Sequence, residues 1–123
     1  MILVDTSVWI DHLLSAEVTL QRLLEAEMVL SHPWVIGEIA VGTFKHRERI
    51  LDELNSLPTA TVADHDEVMH FISSHRIYGL GIGYIDAHLL VAVQLTPDAV
   101  LWTRDKRLTQ VAEKLKIAFH PFQ

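Results

Sequence analysis

Hydrophobic positions follow two rhythms along the chain. Short unbroken apolar runs at residues 1–4, 28–30 and 100–102 are too short for helices and end in polar residues, which predicts buried strands. Residues 59–62 and 117–119 predict two further short strands. Between the runs, apolar residues recur at three- and four-residue spacing, as in Val18, Leu20, Leu23, Leu24 and Ala26. That rhythm predicts helices up to about residue 14, then near 18–26, 33–44, 47–57, 64–78, 84–95 and 106–115. The punctuation agrees. Asp5-Thr6-Ser7 and Asp64 are capping residues, Pro33 suits a first helical turn, Pro58 is a stop, and Gly79, Gly81 and Gly83 mark a loop. Strands alternating with helices predict an α/β fold with three α/β/α layers and a mostly parallel central sheet of four to five strands.

Composition narrows the class. The chain has 123 residues, half of them hydrophobic, which suits one domain with its own core spanning residues 1–123. The apolar content excludes a disordered tail. With no cysteine, neither a disulfide framework nor a thiolate metal site is available, and a cytoplasmic location is the expectation. No apolar stretch approaches a membrane span, and no basic region precedes the first apolar run, so neither a membrane nor a leader is expected. The net charge of −6 argues mildly against nucleic acid, but its distribution changes the picture. Through residue 44 the only Lys or Arg is Arg22, against six acids; Lys45, Arg47 and Arg49 follow, then Arg104, Lys106, Arg107, Lys114 and Lys116. Acids that converge on a metal no longer repel a phosphate, so bulk charge is then a poor guide.

In parallel α/β sheets, ligands sit beyond the carboxyl ends of the strands, near the point where strand order reverses. Asp5 and Asp105 each follow a predicted strand and precede a helix, where each could equally be a simple helix cap. Advancing about 100° per residue places Glu38 in one arc with Trp34, Val35, Ile39, Val41 and Gly42. An acid inside an apolar stripe needs a partner or a metal. Asp86, in the first turn after the glycine loop, falls beside Ile82, Leu89, Leu90 and Val93, although the helix dipole alone also favours an acid there. Four hard oxygen donors without cysteine suit Mg²⁺ or Mn²⁺.

Four blocks carry a resemblance. They are Ile2-Leu-Val-Asp5-Thr-Ser-Val-Trp-Ile10, Ser31-His-Pro-Trp-Val-Ile-Gly-Glu38-Ile-Ala-Val-Gly42, Gly83-Tyr-Ile-Asp86-Ala-His-Leu-Leu-Val-Ala92 and Leu101-Trp-Thr103-Arg-Asp105-Lys-Arg-Leu108. In this order, over essentially the whole chain, the sequence resembles the PIN-domain family and within it the VapC-type toxins of prokaryotic toxin–antitoxin pairs. The resemblance implies a PIN-like fold and a metal-dependent endoribonuclease. It implies that Asp5, Glu38, Asp86 and Asp105 hold one or two Mg²⁺ or Mn²⁺ ions, and that metal-activated water attacks the scissile phosphate of RNA. Thr6, Ser7 and Thr103 would orient carboxylates or water, and Arg104, with Lys106 and Arg107, would position phosphates; caps and solvated first-turn residues are the structural alternatives. The family also implies a cognate VapB-type antitoxin and a homodimer.

Other signals point elsewhere. His65, His70 and His75 recur every five residues, about 140° apart on a helix, so they cannot share a face. His88 is expected to point away from Asp86, and Asp11 to be a surface acid. The glycine loop lacks the Gly-Lys-Ser/Thr of a phosphate loop. Trp9, Trp34 and Trp102 lie in apolar runs and are expected in the core rather than on a nucleobase. Two other functions compete. One is a phosphotransferase with Asp5 as nucleophile, disfavoured because Ser7 stands where a second acid is needed. The other is a PIN-like module that only binds protein.

Overall fold

The computed structural model describes residues 1–121. Strands β1 (Ile2–Val4), β2 (Val29–Leu30) and β3 (Val100–Trp102) form a parallel sheet in the order β2-β1-β3. Ile2 and Leu3 pair with Val29 and Leu30 on one side, and Ile2, Leu3 and Val4 with Val100, Leu101 and Trp102 on the other. Strand order therefore reverses at β1, and its carboxyl end is the switch point where Asp5 emerges. All three β1 side chains are buried. Successive strand residues point to opposite faces, so both faces of the sheet are covered.

The sheet has three strands among the described residues rather than the expected four to five. The segments at 59–62 and 117–119 each make only one parallel bridge, Ser31 with Thr59 and Leu101 with Ala118. The reason lies in their neighbours. Beyond β2 the pairing reduces to Ser31 N–H donating to Pro58 O and Ala60 N–H to Ser31 O, and Thr61 N–H then turns to the Thr96 hydroxyl. At the other edge Leu101 alone bonds to Ile117 O and receives Phe119 N–H.

Among the described residues there are seven helices, each where the sequence pattern expects one: α1 (Thr6–Leu14), α2 (Val18–Glu25), α3 (Pro33–Ala40), α4 (Arg47–Asn55), α5 (His65–Ser74, ending short of the expected residue 78), α6 (Tyr84–Leu95) and α7 (Lys106–Lys114). Asp5, Asp64 and Asp105 are N-caps as their sequence context suggests, and Asp64 forms a capping box with Glu67. Helix α3 starts with His32 as cap and Pro33 in its first turn. It ends at Ala40, short of the expected residue 44. Helix α6 buries Ala87 through Val93 without interruption, which makes it the central helix of the core.

Candidate active site

Asp5 is the hub of the site. It is buried and caps α1, with Oδ1 accepting from Thr6 N–H at 2.7 Å. Its Oδ2 accepts from the Thr103 hydroxyl at 2.7 Å and the Ser7 hydroxyl at 3.1 Å. Thr103 stands at the end of β3, so this bond ties the carboxyl ends of two adjacent strands. The same Thr103 Oγ1 accepts from Asp105 N–H at 3.1 Å, which fixes where α7 begins. Asp105 Oδ1 caps that helix through Leu108 N–H at 2.8 Å. On the other side Thr6 Oγ1 donates to Glu38 Oε1 at 2.7 Å, linking α1 to α3. Asp86 Oδ2 accepts from Gly83 N–H at 3.0 Å in the first turn of α6.

Four elements thus bring four acids toward one rim of the sheet. Electrostatics couples them. Burial pushes the Asp86 carboxyl up; the Gly83 N–H pulls it back, and the charges of Asp5, Asp105 and Glu38 push it further up. Among the described residues the ion pairs are Arg47–Glu48, Arg49–Glu53, Arg104–Asp11 and Arg104–Glu17, so none of the four carboxylates has a basic partner. Nor do any three His, Asp or Glu side chains among the described residues form a ready metal cage. Each carboxylate is instead turned to a nearby N–H or hydroxyl. The donor set still fits a hard divalent cation: four carboxylates of like sign, uncompensated, and no softer ligand among them.

Glu38 is exposed, not in the buried stripe expected for it. The buried face of α3 is Val35 and Ile39. Glu38 lies one residue around from Ile39, on the side shared with Trp34. Trp34 is itself 43% exposed, whereas Trp9 and Trp102 are in the core as expected. Trp34, Glu38, Gly83, Tyr84, Ile85 and Asp86 line an open groove of about 540 Å³. The sequence held a usable signal for this wall: Trp34 and Glu38 are four residues apart, hence neighbours on a helix face.

Arg104 is committed elsewhere. Its guanidinium donates to Asp11 Oδ2 at 2.5 Å and to Glu17, and lies 5.9 Å from the centre of the Trp102 ring. These partners hold its pKa above the ordinary value, Asp11 first, and its hydrogen bond is the main cause of the lowered Glu17 pKa. Its backbone N–H donates to Ser7 Oγ at 3.0 Å. Asp11 is therefore a partner that ties down the Arg104 loop. Arg107 packs over Gly81, whose φ of +79° and lack of a Cβ leave room for it.

A second polar cluster adjoins the acids. His88 is buried; its Nε2 is 3.0 Å from the Tyr84 hydroxyl, which is also 2.6 Å from His65 Nδ1. His32 is fully buried and accepts from Trp34 N–H through Nδ1 at 3.1 Å. Burial, then the neighbouring His88, pushes the His32 imidazole down to about 4. Burial and then His65 lower His88.

Comparison with known proteins fits this geometry. Residues 2–114 match the PIN domain family model. The chain is also 46% identical over 118 residues to Ribonuclease VapC32 of Mycobacterium tuberculosis, in both the CDC 1551 / Oshkosh and the ATCC 25618 / H37Rv strains; the match covers 96% of this chain and 95% of the relative. With its switch-point aspartate, its four carboxylate-bearing elements and this likeness along nearly its whole length, the chain belongs to the PIN-domain family, in the VapC-type branch.

Proposed function

We propose that the chain is a VapC-type toxin, an endoribonuclease that hydrolyses RNA phosphodiesters with a bound divalent cation, Mg²⁺ or Mn²⁺. Asp5, Glu38, Asp86 and Asp105 would hold the ion. The observation that carries this reading is four mutually coupled carboxylates, from four elements near the strand-order reversal, without a basic partner among the described residues. Likeness to a protein named as a ribonuclease supports the substrate class. When bound, the cation would supply charge stabilisation at the phosphate and activate water.

The remaining residues orient that set. Thr103 and Ser7 fix the Asp5 carboxylate, and Thr6 aims Glu38. Arg104 acts by anchoring the loop after β3 to α1 and α2 rather than by gripping a phosphate. Ser7 stands two residues after Asp5, where a phosphotransferase would need a second acid, and its hydroxyl donates to Asp5 instead, which counts against that alternative.

A VapB-type antitoxin and a homodimer belong to the same proposal, with the cytoplasm as the location. An apolar groove beside Glu38, lined by Ile10, Leu13, Leu14, Ile39 and Phe44 among others, supports partner binding. No helix among the described residues is long and apolar enough to cross a membrane.

The test is cleavage of a total RNA pool by purified protein with Mg²⁺ or Mn²⁺, with EDTA, and with Asp5→Asn. Discrete bands that need the metal and vanish in the variant are expected. Cleavage of equal strength in EDTA or by the variant would overturn the proposed site.

A further inference from the structure

The groove beside Glu38 and Asp86 has an aromatic wall that hydrolysis itself does not require. Trp34 is 43% and Tyr84 39% exposed, while Trp9 and Trp102 are 5% and 3% exposed. A single exposed apolar side chain needs no explanation. Here two aromatic rings line one groove whose ionisable acids are two of the four proposed to hold the metal. We infer that Trp34 is a base-stacking residue, with Tyr84 beside it: an unpaired nucleobase adjoining the phosphodiester to be cut lies on this wall. The inference rests on the ribonuclease reading above and adds the substrate contact that reading leaves open.

Placement supports it. Trp34 and Glu38 are one helical turn apart on α3, where side chains are neighbours. Tyr84 and Asp86 share the first turn of α6. A nucleotide whose phosphate meets the acid rim therefore has its base within reach of the rings. Among the described residues the groove lining includes no basic side chain. Without cations in the wall, the part of the nucleotide it suits is the uncharged base, and every base presents a π-face to stack.

Rigidity supports it as well. The ring of His88 lies against Trp34, with centroids 5.1 Å apart and planes 32° from parallel. Tyr84 meets His88 edge-on at 4.8 Å, and its hydroxyl is held between His88 and His65. His32, fully buried, caps α3 through the Trp34 N–H. Two exposed rings thus have buried imidazoles behind them. A surface set before the ligand arrives loses less freedom on binding.

The experiment uses a synthetic oligoribonucleotide spanning a bond cut in the total RNA pool. Four further copies each carry one abasic ribose, at the two nucleotides on either side of that bond. Cleavage by the wild-type chain, Trp34→Ala and Trp34→Phe is compared as kcat/KM. In the wild type, one abasic position should lower kcat/KM by roughly tenfold. Trp34→Ala should lose about the same factor on the intact RNA and nothing more on that abasic copy. Trp34→Phe, which keeps a ring, should retain most of the wild-type value. Losses that multiply instead of overlapping would overturn the inference, because a merely structural Trp34 would not sense the missing base. Cleavage of intact RNA by Trp34→Ala at the wild-type rate would also overturn it and leave the wall as a protein-contact surface. If the wild-type chain cuts no RNA, the ribonuclease reading itself fails, a different result from a nuclease indifferent to Trp34.

Discussion

Two polar clusters share α3 and α6 yet treat charge in opposite ways. The acid rim gathers Glu38 and Asp86 with Asp5 and Asp105, without a basic partner among the described residues. The histidine cluster gathers His32 and His88 in the interior, where His32 Nε2 and His88 Nδ1 have no hydrogen-bond partner among the described residues. Burial pushes both kinds of group toward neutrality: it raises the Asp86 carboxyl and lowers the imidazoles. The consequences differ. The rim gathers like charges that a cation can use, whereas the histidines hold the helices and rings around it in place without adding charge.

The largest effect should come from the hub. Asp5→Asn removes charge from the residue that receives Thr6, Ser7 and Thr103 together. Cleavage should fall on the order of 1,000-fold, comparable to losing a group that stabilises the transition state, while the circular dichroism spectrum stays native. A loss below tenfold would move the proposed reaction centre away from the rim.

The histidine side of the comparison is tested by acid. Free histidine titrates near 6.5, and folded His32 near 4. The unfolded chain therefore takes up a proton that the folded chain refuses between those values. Stability should be full above about pH 6.5, decline as pH falls toward 4, and level off below, by at most about 3 kcal/mol from this residue. Urea midpoints across that range measure it. His32→Asn keeps a helix-capping side chain but cannot titrate there, so its acid slope should be shallower than that of the wild type. An unchanged slope would assign the effect to other groups and break the contrast between the clusters.

The same contrast marks what could be read from sequence. Strands β1, β2 and β3, the caps at Asp5, Asp64 and Asp105, and the start of α3 at Pro33 were all legible, because short apolar runs and capping residues act locally. The two outer strands were not: an apolar run says nothing about whether a neighbour offers more than one hydrogen-bonding residue. The four acids were legible as candidates. The exposure of Glu38 was not legible, since periodicity gives a helix face but not which edge of it meets solvent. The exposure of Trp34 was hidden for the same reason. Arg104 was unreadable, because Asp11 and Glu17 approach it only in the folded chain. The histidine cluster was invisible too: His32, His65 and His88 are far apart in sequence and meet through Tyr84 and Trp34.

A smaller effect sharpens the rim's internal wiring. Thr103→Val deletes the hydroxyl that donates to Asp5 and accepts from Asp105 N–H, with little change in volume. Cleavage should fall about 10- to 100-fold, as for residues that orient a ligand without touching the ion. Thr103→Ser should recover most of it. Equal losses in both variants would mean that the methyl group matters rather than the hydroxyl.

The smallest effect is the one that reads the rim without any RNA. Folding raises the Asp86 pKa, so the folded state holds that proton more tightly than the unfolded state does. Ionising Asp86 therefore costs native stability, and the loss grows as pH rises through the carboxylate range and is complete above the folded value. At pH 7 in EDTA, Asp86→Asn should melt higher than the wild type, by roughly 2–4 °C. At a pH low enough to protonate the wild-type carboxyl, the two should converge. Adding Mg²⁺ or Mn²⁺ should reverse the order, because only the intact rim gains stability by binding the ion. If Asp86→Asn melts no higher than the wild type in EDTA at pH 7, neither burial nor the neighbouring carboxylates penalise a charged Asp86 in the folded chain. The penalty on that charge would then be absent, and with it the electrostatic reason for a cation there.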